Sequence, residues 1–293
     1  MTKNKKSDQK LEEEKTSGHE WDGIKEYDNP DPKWLRITFY ITLFYALGYW
    51  FLYPSWPVPK EKGALNWSSD KQLKEELDAI QKIRSEYQVD FDKASFEEIL
   101  KDSRLLNFGL KSGESIFQNN CAVCHGAGGG GNPGYPNLTA GAWLWGGTFD
   151  EIQQTIKFGI RSGHPEAHDS QMPAFGQDKI LQADEITLLT HYVLYLAKPL
   201  TGQKREVKFD LKKANELFQT NCASCHGSDA KGNKLVGAPN LTDAIWLYSD
   251  DYRTVHDVIF HGRGGQMPYW DGKLSESEIK SVASYVHQLG GGD

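Results

Sequence analysis

The sequence predicts an all-α protein with one N-terminal membrane helix followed by two tandem helical domains. Three observations support this fold class. A long uncharged apolar run lies near the N-terminus, the last two thirds of the chain contain an internal duplication, and apolar residues in that duplication recur at helical rather than alternating spacing. A length of 293 residues also fits two domains better than one.

The composition excludes several classes of protein. The net charge is −7, and no basic stripe is present, so the chain is not expected to bind nucleic acid. Hydrophobic residues make up 38% of the chain, which is enough to build cores. Four cysteines are too few for a disulfide scaffold of this length, so their positions matter more than their number.

The apolar run covers residues 37–53 and carries no charge. Seventeen residues of helix span about 25 Å, close to the thickness of a bilayer core. Trp34 at one end and Tyr49, Trp50 and Tyr53 at the other are typical of aromatic belts at membrane interfaces. We therefore expect an uncleaved transmembrane anchor over 37–53, ended by the prolines of 54–59, and a tail over 1–36 that is disordered through residue 20.

A charged spacer is expected over residues 54–104. Leu73, Leu77, Ile80 and Tyr87 fall on one face of a predicted helix within it. This stripe is consistent with a face that docks on a partner and equally with a solvated spacer, and the sequence leaves both open.

The duplication begins after residue 104. Residues 116–126 (IFQNNCAVCHG) match 217–227 (LFQTNCASCHG), and the Pro-Asn-Leu-Thr, Trp-Leu, Met-Pro and Tyr-Val pairs that follow recur in the same order. The offsets of these matches lie between 93 and 103 residues, as loops of different length would produce. We expect one domain over 105–200 and a second over 206–293.

Each copy contains the motif C-x-x-C-H, which attaches c-type haem. The thiols of Cys121 and Cys124, and of Cys222 and Cys225, would bind the haem covalently, and His125 and His226 would ligate its iron. A Cys₄ zinc site, a redox dithiol and short disulfides are the alternatives. None of them requires a histidine in both copies, so two covalent haems are the preferred interpretation.

The second axial ligand is predicted to be methionine. Apart from Met1 the chain contains only Met172 and Met267, and each follows the histidine of its own copy by 40 to 50 residues and precedes a proline. His/Met ligation raises the reduction potential and leaves no open coordination position, which favours one-electron transfer. We therefore expect two tandem class I cytochrome c domains with no catalytic residues of their own.

Further haem contacts follow from the repeat. The carbonyls of Pro136 and Pro239 are candidates to accept a hydrogen bond from the axial imidazoles. The candidates to contact haem propionates are Arg161, Arg263, Trp143 and Trp246. An insertion of eight residues before Met172 carries His164 and His168, so bis-His ligation of the first haem is an alternative.

These motifs, together with Asp-Gly-Ile-Lys-Glu-Tyr-Asp-Asn-Pro at 22–30 and Trp-Leu-Trp-Gly-Gly at 143–147, resemble the dihaem cytochrome c subunit, subunit III, of cbb3-type cytochrome c oxidases. The resemblance covers about residues 20–290. It implies a subunit that accepts electrons from a soluble cytochrome c and passes them to a monohaem cytochrome c subunit. That subunit in turn feeds the catalytic haem-copper subunit.

Haem attachment also predicts the orientation. Bacteria install c-type haem outside the cytoplasmic membrane, so the domains beyond the anchor should be periplasmic and the tail cytoplasmic, in a single-pass inner-membrane protein. The tail through Arg36 has net charge −1, which leaves −6 outside. The functional alternatives are a dihaem electron carrier of another reductase or dehydrogenase, and a dihaem peroxidase.

Overall fold

The computed structural model describes residues 15–53, 63–197, 208–290 and 292. The chain divides into two compact units, Met1–Gln81 and Lys82–Asp293.

The first unit begins with a β-hairpin. Strands β1 (Thr16–Trp21) and β2 (Ile24–Tyr27) pair antiparallel, with Trp21 opposite Ile24. Asp22 and Gly23 form the two-residue turn, and both have positive φ (51° and 85°), as type I′ hairpin turns require. The prediction of an all-α chain is therefore wrong for the hairpin over residues 16–27, and that of disorder through residue 20 is wrong for residues 16–20, because an Asp-Gly turn joins two short segments that can pair.

Helix α1 (Lys33–Leu52) follows and contains most of the predicted anchor. It is long and apolar enough to cross a membrane, and every residue along it is exposed. It begins four residues earlier than residue 37, directly after Pro32, so Arg36 lies within the helix. The prolines expected to end it, at positions 54, 57 and 59, lie outside the described residues.

Helix α2 (Ser69–Lys93) crosses the boundary between the units, and the predicted apolar stripe of Leu73, Leu77, Ile80 and Tyr87 is exposed. The part of α2 from Lys82 onward and α3 (Phe96–Lys101) belong to the second unit. There Phe91, Ile99 and Leu105 form a small core. A capping box of Ser95 and Glu98 starts α3.

The remaining helices form two matching series. The first repeat contains α4 (Ser103–Asn120), α5 (Ala122–His125), α6 (Phe149–Phe158) and α7 (Ala183–Leu196), and the second contains α8 (Leu211–Asn221), α9 (Ala223–His226), α10 (Tyr252–His261) and α11 (Glu276–Gly290). Asp102 and Asp210 cap the N-termini of α4 and α8, and Thr148 and Asp251 cap those of α6 and α10.

The closing helices pack on the helices of the opposite repeat. Helix α11 packs on α4 and α6, and α7 packs on α8 and α10. The resulting "first core" comprises Phe117, Phe149, Ile152, Ile156, Ile279, Val282, Ala283 and Val286. The "second core" comprises Phe175, Leu181, Ile186, Leu189, Tyr192, Val193, Ala214, Phe218, Ala230, Val255 and Ile259. Each core therefore combines the start of one repeat with the end of the other.

The close approach of α4 and α11 depends on a small residue. Gly113 is buried on α4, and a Cβ atom there would overlap the backbone carbonyl of Ser281 on α11. Ser281 and Ser284 are both buried along that side of α11. The close packing of α4 on α11 therefore depends on the absence of a side chain at Gly113 and on the small serines buried on that side of α11.

Candidate haem-binding sites

Both C-x-x-C-H motifs sit on a single helical turn after a longer helix. The first cysteine of each is the C-cap of the preceding helix, and the histidine ends the short helix α5 or α9. Gly126 and Gly227 then reverse the chain with φ of 79° and 80°. The two motifs have the same local geometry, as the duplication predicts.

The histidine rings are oriented by backbone carbonyls. His125 Nδ1–H donates to the Pro136 carbonyl at 3.1 Å, and His226 Nδ1–H donates to the Pro239 carbonyl at 3.0 Å. Burial lowers the pKa of both imidazoles, and these hydrogen bonds offset only part of that effect. Each ring is therefore neutral at pH 7 with Nε2 available as a ligand.

The cysteines do not suit the alternative chemistries. All four thiols are free, and in the described ranges no three His, Cys, Asp or Glu side chains converge, so neither a disulfide nor a shared Cys₄ zinc site is formed. Burial raises the pKa of the Cys121 thiol to about 11 and that of Cys222 to about 12. A redox dithiol needs a lowered pKa, which is the opposite shift.

Each methionine packs against the core that contains the C-x-x-C-H motif of the other repeat. Met267 packs against the first core together with Cys121 and Ala122, and Met172 packs against the second core together with Cys222 and Ala223. The sequence suggested that each methionine serves the histidine of its own repeat. The structure differs because the chain crosses between the cores before each methionine.

Backbone pairing holds both methionine loops in these positions. The segment after α6 pairs with Met267 through Ile160, and the segment after α10 pairs with Met172 through Arg263. The connections that cross between the cores are residues 162–171 and 264–266. The insertion noted in the sequence is therefore one of the two crossing connections.

The tryptophans of the repeat line the same cores. Trp143 packs against the first core and Trp246 against the second. The Trp143 Nε1 atom is buried without a hydrogen-bond partner among the described residues. A buried N–H of this kind requires an acceptor, and a haem propionate is a carboxylate of the right chemistry.

The guanidinium groups of the two candidate arginines donate hydrogen bonds to backbone carbonyls. Arg161, with φ of 48°, donates from Nε to the Gly265 carbonyl at 2.6 Å and from Nη1 to the Ser170 carbonyl, and so ties the two crossing connections together. Arg263 donates to the Gly262 carbonyl at 2.8 Å, and its guanidinium lies over the Tyr248 ring. Both arginines therefore have hydrogen-bond acceptors within the protein, without a haem propionate.

The two histidines of the first crossing connection have local partners. The His168 ring stacks on Trp145 with centroids 4.2 Å apart, and its Nε2 lies 3.1 Å from Thr155 Oγ1. The His164 ring stacks on Phe158, and its Nδ1 accepts from the Glu166 amide at 3.1 Å. These contacts account for both rings without iron ligation.

Sequence reasoning missed the glycines that shape the Trp143 site. A Cβ atom at Gly147 would overlap the Trp143 ring, and one at Gly290 would lie 2.8 Å from it. Gly147 falls in the Trp-Leu-Trp-Gly-Gly segment, so its position beside the tryptophan was the available signal. Gly290, on the last turn of α11, offered none, because its contact depends on the crossing of the repeats.

Models of cytochrome c families match both parts of the chain that contain a C-x-x-C-H motif. Residues 13–60 match the model of the N-terminal domain of cytochrome oxidase-cbb3, FixP. Residues 110–197 match the cytochrome c family, and residues 209–286 match cytochrome c oxidase, cbb3-type, subunit III.

Similar proteins cover nearly the whole chain. A cbb3-type cytochrome c oxidase subunit FixP of Bradyrhizobium diazoefficiens is 46% identical over 279 residues, covering 94% of this chain and 95% of that protein. A subunit CcoP of Cereibacter sphaeroides is 41% identical over 292 residues, covering 99% of both chains. Because identity at this level extends over the whole length, the chain belongs to the FixP/CcoP family, the electron-relaying cytochrome c subunits of cbb3-type cytochrome c oxidases.

Proposed function

We propose that the chain binds two c-type haems, one at each C-x-x-C-H motif, and that the axial ligands cross between the repeats. His125 pairs with Met267 in the first core, and His226 pairs with Met172 in the second. The observation that carries this proposal is the packing of each methionine beside the motif of the opposite repeat. On this reading each core is one class I cytochrome c domain assembled from two separate chain segments.

The residues present fit this cofactor. The thiols of both motifs are free, and both imidazoles are held by Nδ1 so that Nε2 is left for iron. In the first core the unpaired Trp143 N–H supplies a donor that a propionate would satisfy. Trp246 holds the equivalent position in the second core, and Arg161 and Arg263 stand near the crossing connections as further propionate candidates.

A c-type haem bound at these motifs supplies an iron that takes up and releases one electron. The chain contributes a neutral imidazole, a soft thioether and a largely apolar surround, which together favour the reduced state. With a histidine and a methionine side chain as its two ligands, a bound haem would have no vacant position for oxygen or peroxide. This arrangement favours an electron relay over a dihaem peroxidase.

We further propose the membrane topology and the partners. Helix α1 anchors the chain in the bacterial inner membrane, with the N-terminal hairpin in the cytoplasm and the haem-binding cores in the periplasm. Electrons arrive from a soluble cytochrome c and leave to the monohaem cytochrome c subunit and the catalytic haem-copper subunit. Net charge of −6 outside the tail would steer a basic donor at low salt.

The experiment that tests the proposal is purification of the complex from membranes with a full cofactor inventory. We expect two c-type haems per copy of this chain, together with b-type haem and copper from the partner subunits. One haem per chain, or a complex without copper, would contradict it. Protease added to intact spheroplasts should cleave the haem-binding cores and leave the tail, and the reverse pattern would overturn the topology.

A further inference from the structure

Each repeat places one aromatic ring against the opposite repeat. Trp145 and Tyr248 hold equivalent positions 103 residues apart, as do Gly134 and Gly237. The indole of Trp145 packs on the backbone of Gly237, and the Tyr248 ring lies 3.3 Å from the position that a Cβ atom of Gly134 would take. The Gly134 amide also donates to the Leu247 carbonyl at 2.8 Å. The two contacts are related by the pseudo-symmetry of the duplication.

These contacts join the two proposed haem sites by short stretches of chain. Gly134 and Gly237 each stand two residues before the proline whose carbonyl orients an axial histidine. Trp145 and Tyr248 each stand two residues after a tryptophan that packs against a core. Each aromatic ring therefore links the two sites. It follows a tryptophan that packs against one core, and it contacts the loop whose proline carbonyl orients the histidine of the other core.

Neighbouring groups fix both rings. Trp145 stacks on His168 with an interplanar angle of 13°, and His168 is in turn within hydrogen-bond distance of Thr155. The Arg263 guanidinium lies 5.0 Å from the centre of the Tyr248 ring. Both rings are half-buried, so they act as packed spacers rather than as mobile surface groups.

We propose that Trp145 and Tyr248 are positioning residues that set the spacing and the electronic contact between the two haem sites. The inference rests on the proposed function, since it needs a haem at each motif. Electron exchange between the two haems moves one electron, oxidising one iron as it reduces the other. No bond is made or broken. Tunnelling falls steeply with distance and with gaps in packing, so a filled contact between the sites speeds the exchange.

The test compares Trp145→Leu and Tyr248→Leu with the exposed neighbour control Tyr135→Leu, all in the intact oxidase complex. A ruthenium dye delivers one electron by flash photoreduction, and the equilibration between the two c-type haems is followed optically. We expect each of the two variants to slow equilibration several-fold and the control to leave it unchanged. Trp145→Phe keeps an aromatic ring in the contact and should retain most of the wild-type rate.

A second readout does not depend on electron flow. Magnetic dipolar coupling between the two ferric irons, measured by electron paramagnetic resonance, reports the distance between them. Gly237→Ala adds a methyl group that overlaps the Trp145 ring and should lengthen this distance, whereas Gly237→Ala with Trp145→Ala should restore it.

The outcomes separate this inference from the proposed function. Unchanged equilibration in both leucine variants, with two haems and both thioether-to-iron bands intact, would overturn the inference and leave the proposed function standing. A wild-type chain with a single haem, or one lacking either thioether band, would overturn both.

Discussion

The backbone of Met267 is hydrogen-bonded in both directions to the backbone of Ile160. The Met267 amide donates to the Ile160 carbonyl at 2.9 Å, and the Ile160 amide donates to the Met267 carbonyl at 3.0 Å. Met172 makes the matching pair with Arg263, at 2.9 and 3.3 Å. The loop that carries each methionine is therefore held by the turn after the middle helix of the opposite repeat, and we expect the geometry of that turn to control the proposed methionine ligand.

Gly159→Ala tests this control. Gly159 has φ of 75°, and an added Cβ atom would overlap the Met267 backbone, so the change should lower the free energy of unfolding by about 3 kcal/mol. It should also convert part of one haem to the high-spin form. The measurement is chemical denaturation together with the optical spectrum.

Gly163→Ala is the matched control for this change. Gly163 also has positive φ (83°), but a Cβ atom there would meet nothing within 4 Å. It should cost only the backbone strain, about 1 kcal/mol, and leave both haems low-spin. Equal effects of the two substitutions would show that the turn does not hold the methionine loop.

Trp143→Phe should have opposite effects with and without haem. In the haem-free chain it removes a buried unpaired N–H, so stability should be unchanged or should rise by about 1 kcal/mol. In the haem-bound chain it removes the proposed propionate donor, so the potential of the first haem should fall. Redox titration of both haems checks this, with the second haem as internal control; an unchanged first potential would count against the propionate contact.

Lys280, on α11, forms hydrogen bonds with backbone carbonyls at the C-terminal end of α2. Its ammonium donates to the carbonyls of Phe91, Asp92 and Ala94, at 2.8, 3.1 and 2.5 Å, and so satisfies groups left unpaired where α2 ends. Lys280→Met should lower the free energy of unfolding by about 2 kcal/mol and expose the last turn of α2 to hydrogen exchange. Lys111→Met removes an exposed lysine and serves as control; equal protection of α2 in both variants would refute the role.

Acid should destabilise the first crossing connection through His168. Burial, and then the charge of Arg161, lower the pKa of this imidazole below 6.5, so the unfolded chain binds a proton before the folded chain does. The stabilisation is therefore complete at a pH well above 6.5, the pKa of an unfolded histidine, and it is lost progressively as the pH falls through and below about 6.5. In the haem-bound protein, His168→Gln should flatten this slope in urea-unfolding experiments, and an unaltered slope would exclude His168 as its source.

The local structure of each repeat could be predicted from sequence, because the duplication repeats the same signals. The C-x-x-C-H motif, the following glycine and the Pro-Asn-Leu segment recur in order, so the proline carbonyls could be named as partners of the histidines. The hairpin could not be predicted from composition, because Thr16–Trp21 continues a polar, charged tail and only the Asp-Gly turn signals the pairing of the two short strands.

The crossing of the repeats could not be predicted in the same way. Both closing helices carry the Tyr-Val pair and an apolar face, so either one could fill either core. What decides between them is long-range: the close contact of Gly113 with Ser281, and the pairing of each methionine loop with the opposite turn. The longer first connection was visible in the sequence, but its length alone did not show where it leads.

The most direct test of the crossed ligation uses a chain with one haem. Replacing Cys222 and Cys225 by serine leaves the haem at Cys121 and Cys124, and Met267→Ala or Met172→Ala is then added to that background. We predict that Met267→Ala converts the remaining haem to high spin and abolishes its thioether-to-iron band, while Met172→Ala leaves its spectrum unchanged. Loss of the band in the Met172→Ala chain, with the band kept in the Met267→Ala chain, would contradict the crossed arrangement.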